Sequence, residues 1–234
     1  MTALNDFPIT KLFPPSRPDA IQLYSFATPN GIKVSAALEE TGLPYEAHLI
    51  NILEDDQKTP EFLALNPNGK IPAMIDPAGP GGDAIGLFES GAILVYLAEK
   101  SGKLMPADPQ GRYECLQWVF FQMAGVGPMF GQYGHFYKFM AGKLKDDYPV
   151  ERYAKESRRL LEVMEGRLEG REWLVGDDYS IADTASFPWV RTLGGFYDAG
   201  EALKLDELVN VGAWLDRCLA RPASEKALNI PPRP

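Results

Sequence analysis

The chain has 234 residues, of which 45% are hydrophobic and 24% are charged, an ordinary composition for a globular protein of one large domain or two smaller ones. The formal net charge of -9 argues against a nucleic-acid partner and against an anionic membrane surface. No stretch approaches the roughly 20 apolar residues of a membrane helix, and the N-terminal segment lacks the apolar centre of a signal peptide. We therefore expect a cytoplasmic protein.

The cysteines and histidines are few and far apart. Cys115 and Cys218 both fall on apolar helical stripes and form no Cys-x-x-Cys motif, so we expect buried, unreactive thiols. His48 and His135 are too few for a histidine-based metal site. The sequence therefore predicts no metal centre.

Strand and helix signals alternate in the first part of the chain, after a proline-rich arm over residues 1–19 that we expect to be extended. The order β-α-β-α-β-β-α predicts a mixed sheet with helices on its faces, in an α/β domain over residues 20–103. The predicted elements are strands over 21–26, 45–52, 71–75 and 84–88, a helix ending at Gly42, a polar loop or short helix over 54–65, and a helix from Ser90 to Gly102.

Strand signals stop at a linker over residues 104–110, and residues 111–234 predict an all-helical domain with a C-terminal tail. The helical features are an amphipathic helix over 110–124, a bend or break at Gly125, Gly127 and Pro128, a long helix from near Pro149, a capping box over 180–183 and a last helix ending near Arg221.

The stretch over residues 66–76 contains the most informative turn. Asn66 to Gly69 have the composition of a tight turn, and Ile71 to Ile75 read as a short strand. Pro72 has no N–H to give to a sheet ladder, and we predict a cis bond between Ile71 and Pro72. A strand end with unused backbone groups can pair with an extended peptide, although an edge-strand proline without a ligand explains the same residues.

Three short stretches are spaced so that the predicted sheet would bring them together: Thr28-Pro29-Asn30, Lys70-Ile71-Pro72 and Glu89-Ser90. The first and third open helices, where backbone N–H groups and the helix dipole favour an anion. Glu89 can accept a hydrogen bond from an ammonium group, Lys70 can meet a second carboxylate, and Ile71 can pair with a peptide backbone. The set fits a small, extended, zwitterionic peptide.

Each of these residues has a plainer explanation when it is taken singly. Ser90 is an ordinary helix cap, Glu89 is a first-turn partner of the helix dipole, and Lys70 is a surface charge. We favour a binding site because the three stretches occur together and in this order.

Together these motifs resemble the cytosolic glutathione transferases. The turn over 66–72, the Glu89-Ser90 pair and the box over 180–183 match the pattern of that superfamily, and the resemblance runs from Ile21 to Arg221. The segments that resemble the bacterial nu class, also described as disulfide-bond reductases, are Thr28-Pro29-Asn30-Gly31, the loop around Gln57 and residues 127–136.

The resemblance implies an α/β thioredoxin-like N-terminal domain with a mixed four-stranded sheet, an all-α C-terminal domain, a homodimer, and one or two glutathione molecules per subunit. Glu89 and Ser90 would hold the γ-glutamyl end, Ile71 the cysteinyl backbone, and Lys70 and Gln57 the glycyl end. The complete set of implied glutathione-binding residues is Gln57, Lys70, Ile71, Pro72, Glu89, Ser90 and Arg152.

The catalytic position departs from many members of the superfamily, because neither residue 28 nor residue 30 is a cysteine. Tyr24 lies inside the first strand and Ser25 stands one position too early, so we do not expect either to activate a thiol. The attacking sulfur would then belong to glutathione. Thr28 and Asn30, together with the helix N-terminus, would stabilise its thiolate.

An aromatic and glycine-rich segment over residues 130–139 is expected to line the side of the second substrate. Tyr133, Phe136 and Tyr137 are the candidates, although ordinary helix packing explains these aromatic residues equally well.

The sequence leaves three functions open. The first is a glutathione-dependent disulfide-bond oxidoreductase acting on a small disulfide, which the nu-class segments favour. The second is a glutathione transferase or lyase that acts on a hydrophobic electrophile, for instance by cleaving an aryl ether. The third is a non-catalytic glutathione-binding relative, against which the complete set at Lys70, Glu89 and Ser90 argues.

Overall fold

The computed structural model describes residues 2–232, which form two compact units: residues 2–102 with residues 222–232, and residues 103–221. The strands are β1 (Ile21–Ser25), β2 (Tyr45–Leu49), β3 (Ala73–Asp76) and β4 (Ile85–Phe88). The α-helices are α1 (Pro29–Thr41), α2 (Pro60–Leu65), α3 (Ser90–Ser101), α4 (Pro109–Phe121), α5 (Gly127–Gly134), α6 (Tyr148–Leu168), α7 (Ile181–Gly194), α8 (Val209–Leu219) and α9 (Pro222–Ala227). Within the described residues, none of these helices combines the length and apolarity needed to cross a bilayer.

The first unit contains a four-stranded sheet in the order β2-β1-β3-β4. β1 is parallel to β2 and antiparallel to β3, and β3 is antiparallel to β4. The parallel pair is connected through α1, as a parallel crossover requires, and β3 and β4 are connected by the glycine- and proline-rich loop. The expected α/β thioredoxin-like fold with a mixed sheet is confirmed, and so is the all-helical character of the second unit.

The bounds of α1 follow from local sequence signals. Thr28 has extended backbone angles, and Pro29 begins the helix, where the missing N–H is not needed. The helix ends where Gly42 takes a left-handed φ of 73°, a conformation that residues with a Cβ atom adopt rarely. The predicted end of this helix is confirmed.

The N-terminal arm differs from the extended segment that the sequence predicts. Leu4–Asp6 and Pro8–Lys11 form short 3-10 turns, and Ile9 is fully buried. The core cluster that receives Ile9 also contains Leu4, Tyr24, Ile50, Phe62, Leu65, Ala73 and Ile75. The prolines prevent a regular helix but not these tight turns, and the apolar residues between them gain by burial. The arm is therefore part of the core of the first unit.

The C-terminal segment also differs from the prediction, which placed residues 111–234 in the helical domain. The described residues from Pro222 onward belong to the first unit, where α9 packs against α1. Lys226 Nζ lies 3.2 Å from Glu39 Oε2, and Ser35 Oγ donates to the Ile230 carbonyl at 3.2 Å. The sequence treats Pro222 as the end of helical structure, whereas proline is also favourable in the first turn of a new helix.

Of the bend or break predicted at Gly125, Gly127 and Pro128, the break is not found, because the backbone there forms a widened turn. Residues Gln122–Val126 form a π-helical turn, in which Gly127 N–H donates to the Gln122 carbonyl, and α5 follows directly. Pro128 falls in the first turn of α5, where the wider turn accommodates its missing N–H. The backbone therefore stays helical where an interruption was expected.

The capping box at the start of α7 organises the core of the second unit. Asp183 is fully buried and accepts hydrogen bonds from Leu174 N at 2.9 Å, Ser180 N at 3.0 Å and Trp214 Nε1 at 2.8 Å. Burial raises the pKa of the Asp183 carboxyl, and these hydrogen bonds oppose that rise. One side chain thus connects the start of α7, the preceding loop and α8.

Replacing Asp183 with alanine is expected to lower the free energy of unfolding by roughly 3 kcal/mol or more, because several buried donors would lose their acceptor and each costs about 1–3 kcal/mol. Urea unfolding followed by tryptophan fluorescence measures the change. Asp177→Ala is the matched control, since Asp177 is an exposed acid in the loop before α7. Equal stability of the two variants would contradict the assigned role of Asp183.

Candidate functional site

One row of paired residues fixes the geometry of the candidate site. Tyr24 of β1 stands opposite Ala73 of β3, and Ala73 stands opposite Phe88 of β4. The row lies at the C-terminal ends of β1 and β4 and at the N-terminal end of β3. The three stretches that the sequence singles out follow β1, precede β3 and follow β4, so they meet at one end of the sheet.

The N-terminus of α1 contributes a hydroxyl and an amide to the site, and its backbone lies close to the end of β1. Thr28 Oγ1 accepts the Gly31 N–H at 3.5 Å, and Asn30 is half-buried in the first turn. A Cβ atom on Gly31 would lie 2.6 Å from Ser25 Oγ, which is closer than packed atoms approach. Glycine at this position therefore lets the helix start directly against the end of β1.

The turn before β3 is held by its own side chains. Asn66 Nδ2 donates to the Lys70 carbonyl at 2.6 Å, and Asn68 N donates to Asn66 Oδ1 at 3.0 Å. The Ile71–Pro72 bond is cis, as the sequence predicts. The β3–β4 pairing begins at Ala73, so the Ile71 backbone lies beyond the end of that ladder.

Gln57 lies beside this turn. A Cβ atom on Gly69 would be 3.2 Å from the Gln57 carbonyl oxygen, and Lys58 Nζ donates to the Gly69 carbonyl at 3.2 Å. Gln57 is 9% exposed, and its Oε1 has no hydrogen-bond partner among the described residues. Lys70, in contrast, is exposed to solvent.

Glu89 and Ser90 form the start of α3. Glu89 has the left-handed φ of 69° with ψ of 110°, a conformation that is rare for a residue with a side chain and that is found preferentially at functional sites. Its carbonyl accepts the Ile93 N–H at 2.9 Å. Ser90 is buried, whereas the Glu89 side chain is exposed. The pair therefore offers a hydroxyl, helix N–H groups and a carboxylate at one point.

Lys33 is a member of this region that the sequence analysis did not identify. It lies on α1, is 1% exposed, and directs Nζ to within 3.5 Å of Ser90 Oγ. Burial lowers the pKa of Lys33 to about 7, and the Glu89 carboxylate opposes that fall. One signal was present in the sequence: Lys33 precedes Ala37 by one helical turn and therefore shares the apolar face of α1.

Tyr24 and Ser25 are both core residues. Tyr24 is fully buried and stacks on His48, with ring centroids 4.8 Å apart. Burial raises the pKa of the Tyr24 phenol, which is the opposite of what a thiol-activating tyrosine requires. Ser25 is also fully buried.

Within the described residues, neither Cys115 nor Cys218 forms a disulfide; both are fully buried, and both belong to the second unit. Burial raises the pKa of the Cys115 thiol, which makes it a poor nucleophile. Among residues 2–232, no cluster of histidine, cysteine, aspartate or glutamate side chains has the arrangement of a metal site.

The other predicted site residues lie in the second unit. Tyr133 is almost fully buried and stacks on the half-buried Tyr137, with ring centroids 5.0 Å apart. Phe136 stacks on Tyr153 of α6 at 5.6 Å. Arg152 precedes Tyr153 and lines an open groove of about 620 Å³ on α6, together with acidic and basic neighbours such as Glu151 and Lys155. The aromatic residues thus form contacts between α5, the π-helical turn His135–Phe139 that follows it, and α6, whereas Arg152 is exposed.

Two models of known families match the chain. The N-terminal domain of glutathione S-transferase matches residues 28–100, and the C-terminal domain of glutathione S-transferase matches residues 126–222. The two matches together cover most of the chain.

Individual relatives are similar over most of their length. The disulfide-bond oxidoreductase YfcG of Escherichia coli is 43% identical over 89% of this chain and 94% of its own. The disulfide-bond oxidoreductase YghU of the same organism is 40% identical over 88% of this chain and 73% of its own.

Solved structures extend the comparison. A glutathione transferase from Burkholderia graminis, with two glutathione molecules bound per subunit, is 58% identical with a TM-score of 0.98 and covers 100% of this chain and 98% of its own. A glutathione transferase from Pseudomonas putida, with one glutathione disulfide per subunit, is 52% identical with a TM-score of 0.96 and covers 98% of this chain and 100% of its own. This chain therefore belongs to the glutathione S-transferase family.

Proposed function

We propose that this chain is a glutathione-dependent disulfide-bond oxidoreductase of the nu class. The observation that carries the proposal is the convergence of two helix N-termini and the backbone before β3 at one end of the sheet. The Escherichia coli relatives, which are named disulfide-bond oxidoreductases, support the reaction. The Burkholderia and Pseudomonas structures, which contain glutathione or glutathione disulfide, support the ligand.

The first unit offers a partner for each part of glutathione. Ser90 and the N–H groups of α3 would hold the γ-glutamyl carboxylate, and Glu89 would accept the γ-glutamyl ammonium. The backbone of Ile71, next to Pro72, would pair with the cysteinyl residue. Lys70 and Gln57 would face the glycyl end. The unpartnered Gln57 Oε1 fits this arrangement, since a buried acceptor favours a donor from a ligand.

Thr28 and Asn30 would act on the sulfur. A thiol with a pKa of about 8.5 is only ~3% thiolate at pH 7, and lowering that pKa to ~6.5 raises the thiolate fraction roughly 25-fold. The Thr28 hydroxyl, the Asn30 amide and the N-terminus of α1 favour the charged form in this way. The buried, neutral Tyr24 does not take part.

Bound glutathione would supply the attacking thiolate, whose sulfur bonds to one sulfur of the disulfide while the other sulfur leaves as a thiolate. The chain itself holds the peptide, excludes its own cysteines from the reaction and stabilises the negative sulfur. No protein thiol is consumed or regenerated in this scheme.

A second glutathione would occupy the same subunit, with Arg152 as a residue that helps to hold it. The Burkholderia graminis structure, with two glutathione molecules per subunit, supports this stoichiometry. The exposed position of Arg152 on α6 leaves its guanidinium accessible to a ligand carboxylate.

We also propose that the chain forms a homodimer, as the family resemblance implies. Tyr113 and Phe120 of α4 are 72% and 66% exposed and stand two helical turns apart on one face, where a partner subunit would cover them. Sedimentation equilibrium measures the mass in solution directly.

A second candidate function is a glutathione transferase or lyase acting on a hydrophobic electrophile. The stacked pairs Tyr133–Tyr137 and Phe136–Tyr153 favour it, because the half-buried members of these pairs present aromatic surface that suits an apolar second substrate. Parallel assays with a small disulfide and an aryl electrophile separate the two reactions. A chain that binds glutathione but turns over neither substrate would be a non-catalytic relative.

Ser90→Ala is expected to weaken glutathione binding by roughly 1–3 kcal/mol, because a carboxylate loses a hydrogen bond from the hydroxyl. Titration calorimetry measures the affinity. Ser101→Ala at the other end of α3 is the matched control, since its Oγ donates to the Leu97 and Ala98 carbonyls of the preceding helical turn. Unchanged affinity in a folded Ser90→Ala protein would remove this assignment.

A variant with both Thr28→Ala and Asn30→Ala is expected to lose ~10²-fold or more of the disulfide reductase activity, the scale of removing preorganised anion donors. Its glutathione affinity should change less, because Glu89, Ser90 and Ile71 still hold the peptide. Thr28→Ser, which keeps the hydroxyl and the cap of α1, should retain activity.

The matched comparison for that variant is the double substitution Cys115→Ala with Cys218→Ala, which should retain most of its activity with a small disulfide. Steady-state rates at several pH values compare the proteins. The contrary outcome is a cysteine-free protein that has lost activity together with a Thr28/Asn30 variant that is still active. That outcome would mean that a protein thiol attacks the disulfide.

A further inference from the structure

We propose that Lys33 is a positioning residue for the γ-glutamyl end of glutathione, acting from behind Ser90 with a buried positive charge. The inference deepens the proposed function and rests on it, because it requires that Glu89 and Ser90 receive that end of the peptide. Lys33 would not contact the reacting sulfur.

The geometry places the Lys33 ammonium directly behind the binding hydroxyl. Nζ is 3.5 Å from Ser90 Oγ, and Ser90 is the first residue of α3. A carboxylate that accepts from the Ser90 hydroxyl and the first N–H groups of α3 would therefore feel both the helix dipole and the Lys33 charge.

Lys33 is buried because α1 is covered on more than one side. α3 and α9 both pack against α1, and every residue from Gly31 to Leu38 is buried. Lysine is rarely enclosed in this way, because removing an ammonium from water is unfavourable unless another charge or a dipole compensates.

The charged groups on the elements around Lys33 are not equivalent. From the start of α3, Glu89 opposes the burial effect on Lys33. On α1 itself, Glu39 accepts a hydrogen bond from the Tyr45 hydroxyl at 2.6 Å and forms an ion pair with Lys226 of α9 at 3.2 Å. Glu225 of α9 is exposed. Among these described carboxylates, Glu89 is the one whose charge opposes the effect of burial on the pKa of Lys33.

The Glu89 carboxylate does not restore the ordinary pKa of Lys33. Burial has the larger effect and lowers the pKa to about 7. In the free protein near neutral pH, Lys33 is then partly deprotonated. A ligand carboxylate at Ser90 adds an opposite charge near the ammonium, while the ligand ammonium engages Glu89. Binding should raise the Lys33 pKa and take up a proton.

The direction of the pH dependence follows from this linkage. The ammonium form attracts the carboxylate, so the affinity is full below about pH 7, where Lys33 is already charged. The affinity falls as the pH rises above that value, because binding must then also protonate Lys33. A lysine that only fixes the Ser90 hydroxyl by a hydrogen bond would not distinguish ligands by their carboxylate.

The experiment uses S-methylglutathione, which has no thiol to ionise, and titration calorimetry from about pH 6 to about pH 8.5. Lys33→Met should bind S-methylglutathione roughly tenfold or more weakly at the lower pH, as expected for losing an interaction with a charged group. The affinity of Lys33→Met for S-methylglutathione should also not decline above neutral pH. Lys226→Met is the matched control, since it removes an exposed lysine from α9 and should leave the affinity and its pH profile unchanged.

A second ligand isolates the carboxylate. The analogue 4-aminobutyryl-S-methylcysteinyl-glycine keeps the ammonium but lacks the γ-glutamyl carboxylate. Wild type and Lys33→Met should bind this analogue with similar affinity, so that the effect of the substitution depends on the ligand carboxylate. Wild type and Lys33→Met are titrated with the same ligand, so the ionisation of the ligand ammonium affects both affinities equally and cancels in the comparison.

One measurement needs no variant and therefore does not depend on Lys33→Met folding. Calorimetry of the wild type in two buffers of different ionisation enthalpy, at about pH 7.5, should show net proton uptake with S-methylglutathione and less with the analogue. Equal proton uptake with the two ligands, or equal affinity of wild type and folded Lys33→Met for S-methylglutathione, would overturn the inference while leaving the proposed function intact. Failure of the wild type to bind S-methylglutathione would contradict the proposed function itself.

Discussion

The position of β3 between β1 and β4 is the constraint on which the candidate site depends. The antiparallel register that pairs Ala73 with Tyr24 and Phe88 brings the three predicted stretches to one end of the sheet. A slip by a single residue would turn the side chains of β3 to the opposite face. At the other end of β3, Asp76 accepts the Tyr96 hydroxyl and pairs with Lys100 of α3, both at 2.6 Å. β3 and α3 are therefore connected at the end remote from the site.

Much of this arrangement could be predicted because local chemistry determines it. Proline and glycine delimit α1, and the turn before β3 depends on the side chain of Asn66. These signals lie within a few residues of the structure they form. The order of the strands follows from the alternation of elements. The stretches at Thr28, Ile71 and Glu89 could be located for the same reason.

The errors of the sequence analysis have a common cause, which is packing between distant segments. Nothing local to residues 1–19 shows that Ile9 joins the core with Phe62 and Ile75. Nothing near Pro222 shows that α9 returns to α1. Lys33 was missed because a lysine is normally solvated, and its contact with Ser90 depends on the packing of α3 against α1. At Gly127 and Pro128 the local signals were real, but a π-helical turn accommodated them without a break.

The buried charge behind Ser90 lies on a helix that packs against segments far from it in the sequence. α3 supplies the hydroxyl and the exposed Glu89 carboxylate, while α9 packs against α1 from residues near the C-terminus. The strained backbone of Glu89 and the enclosed ammonium of Lys33 both oppose stability. Neither would persist without packing that determines the local conformation, and both lie where a zwitterionic ligand would meet opposite charges. Their coincidence at the start of α3 favours a role in ligand recognition, because both features oppose stability and both lie at the same predicted subsite.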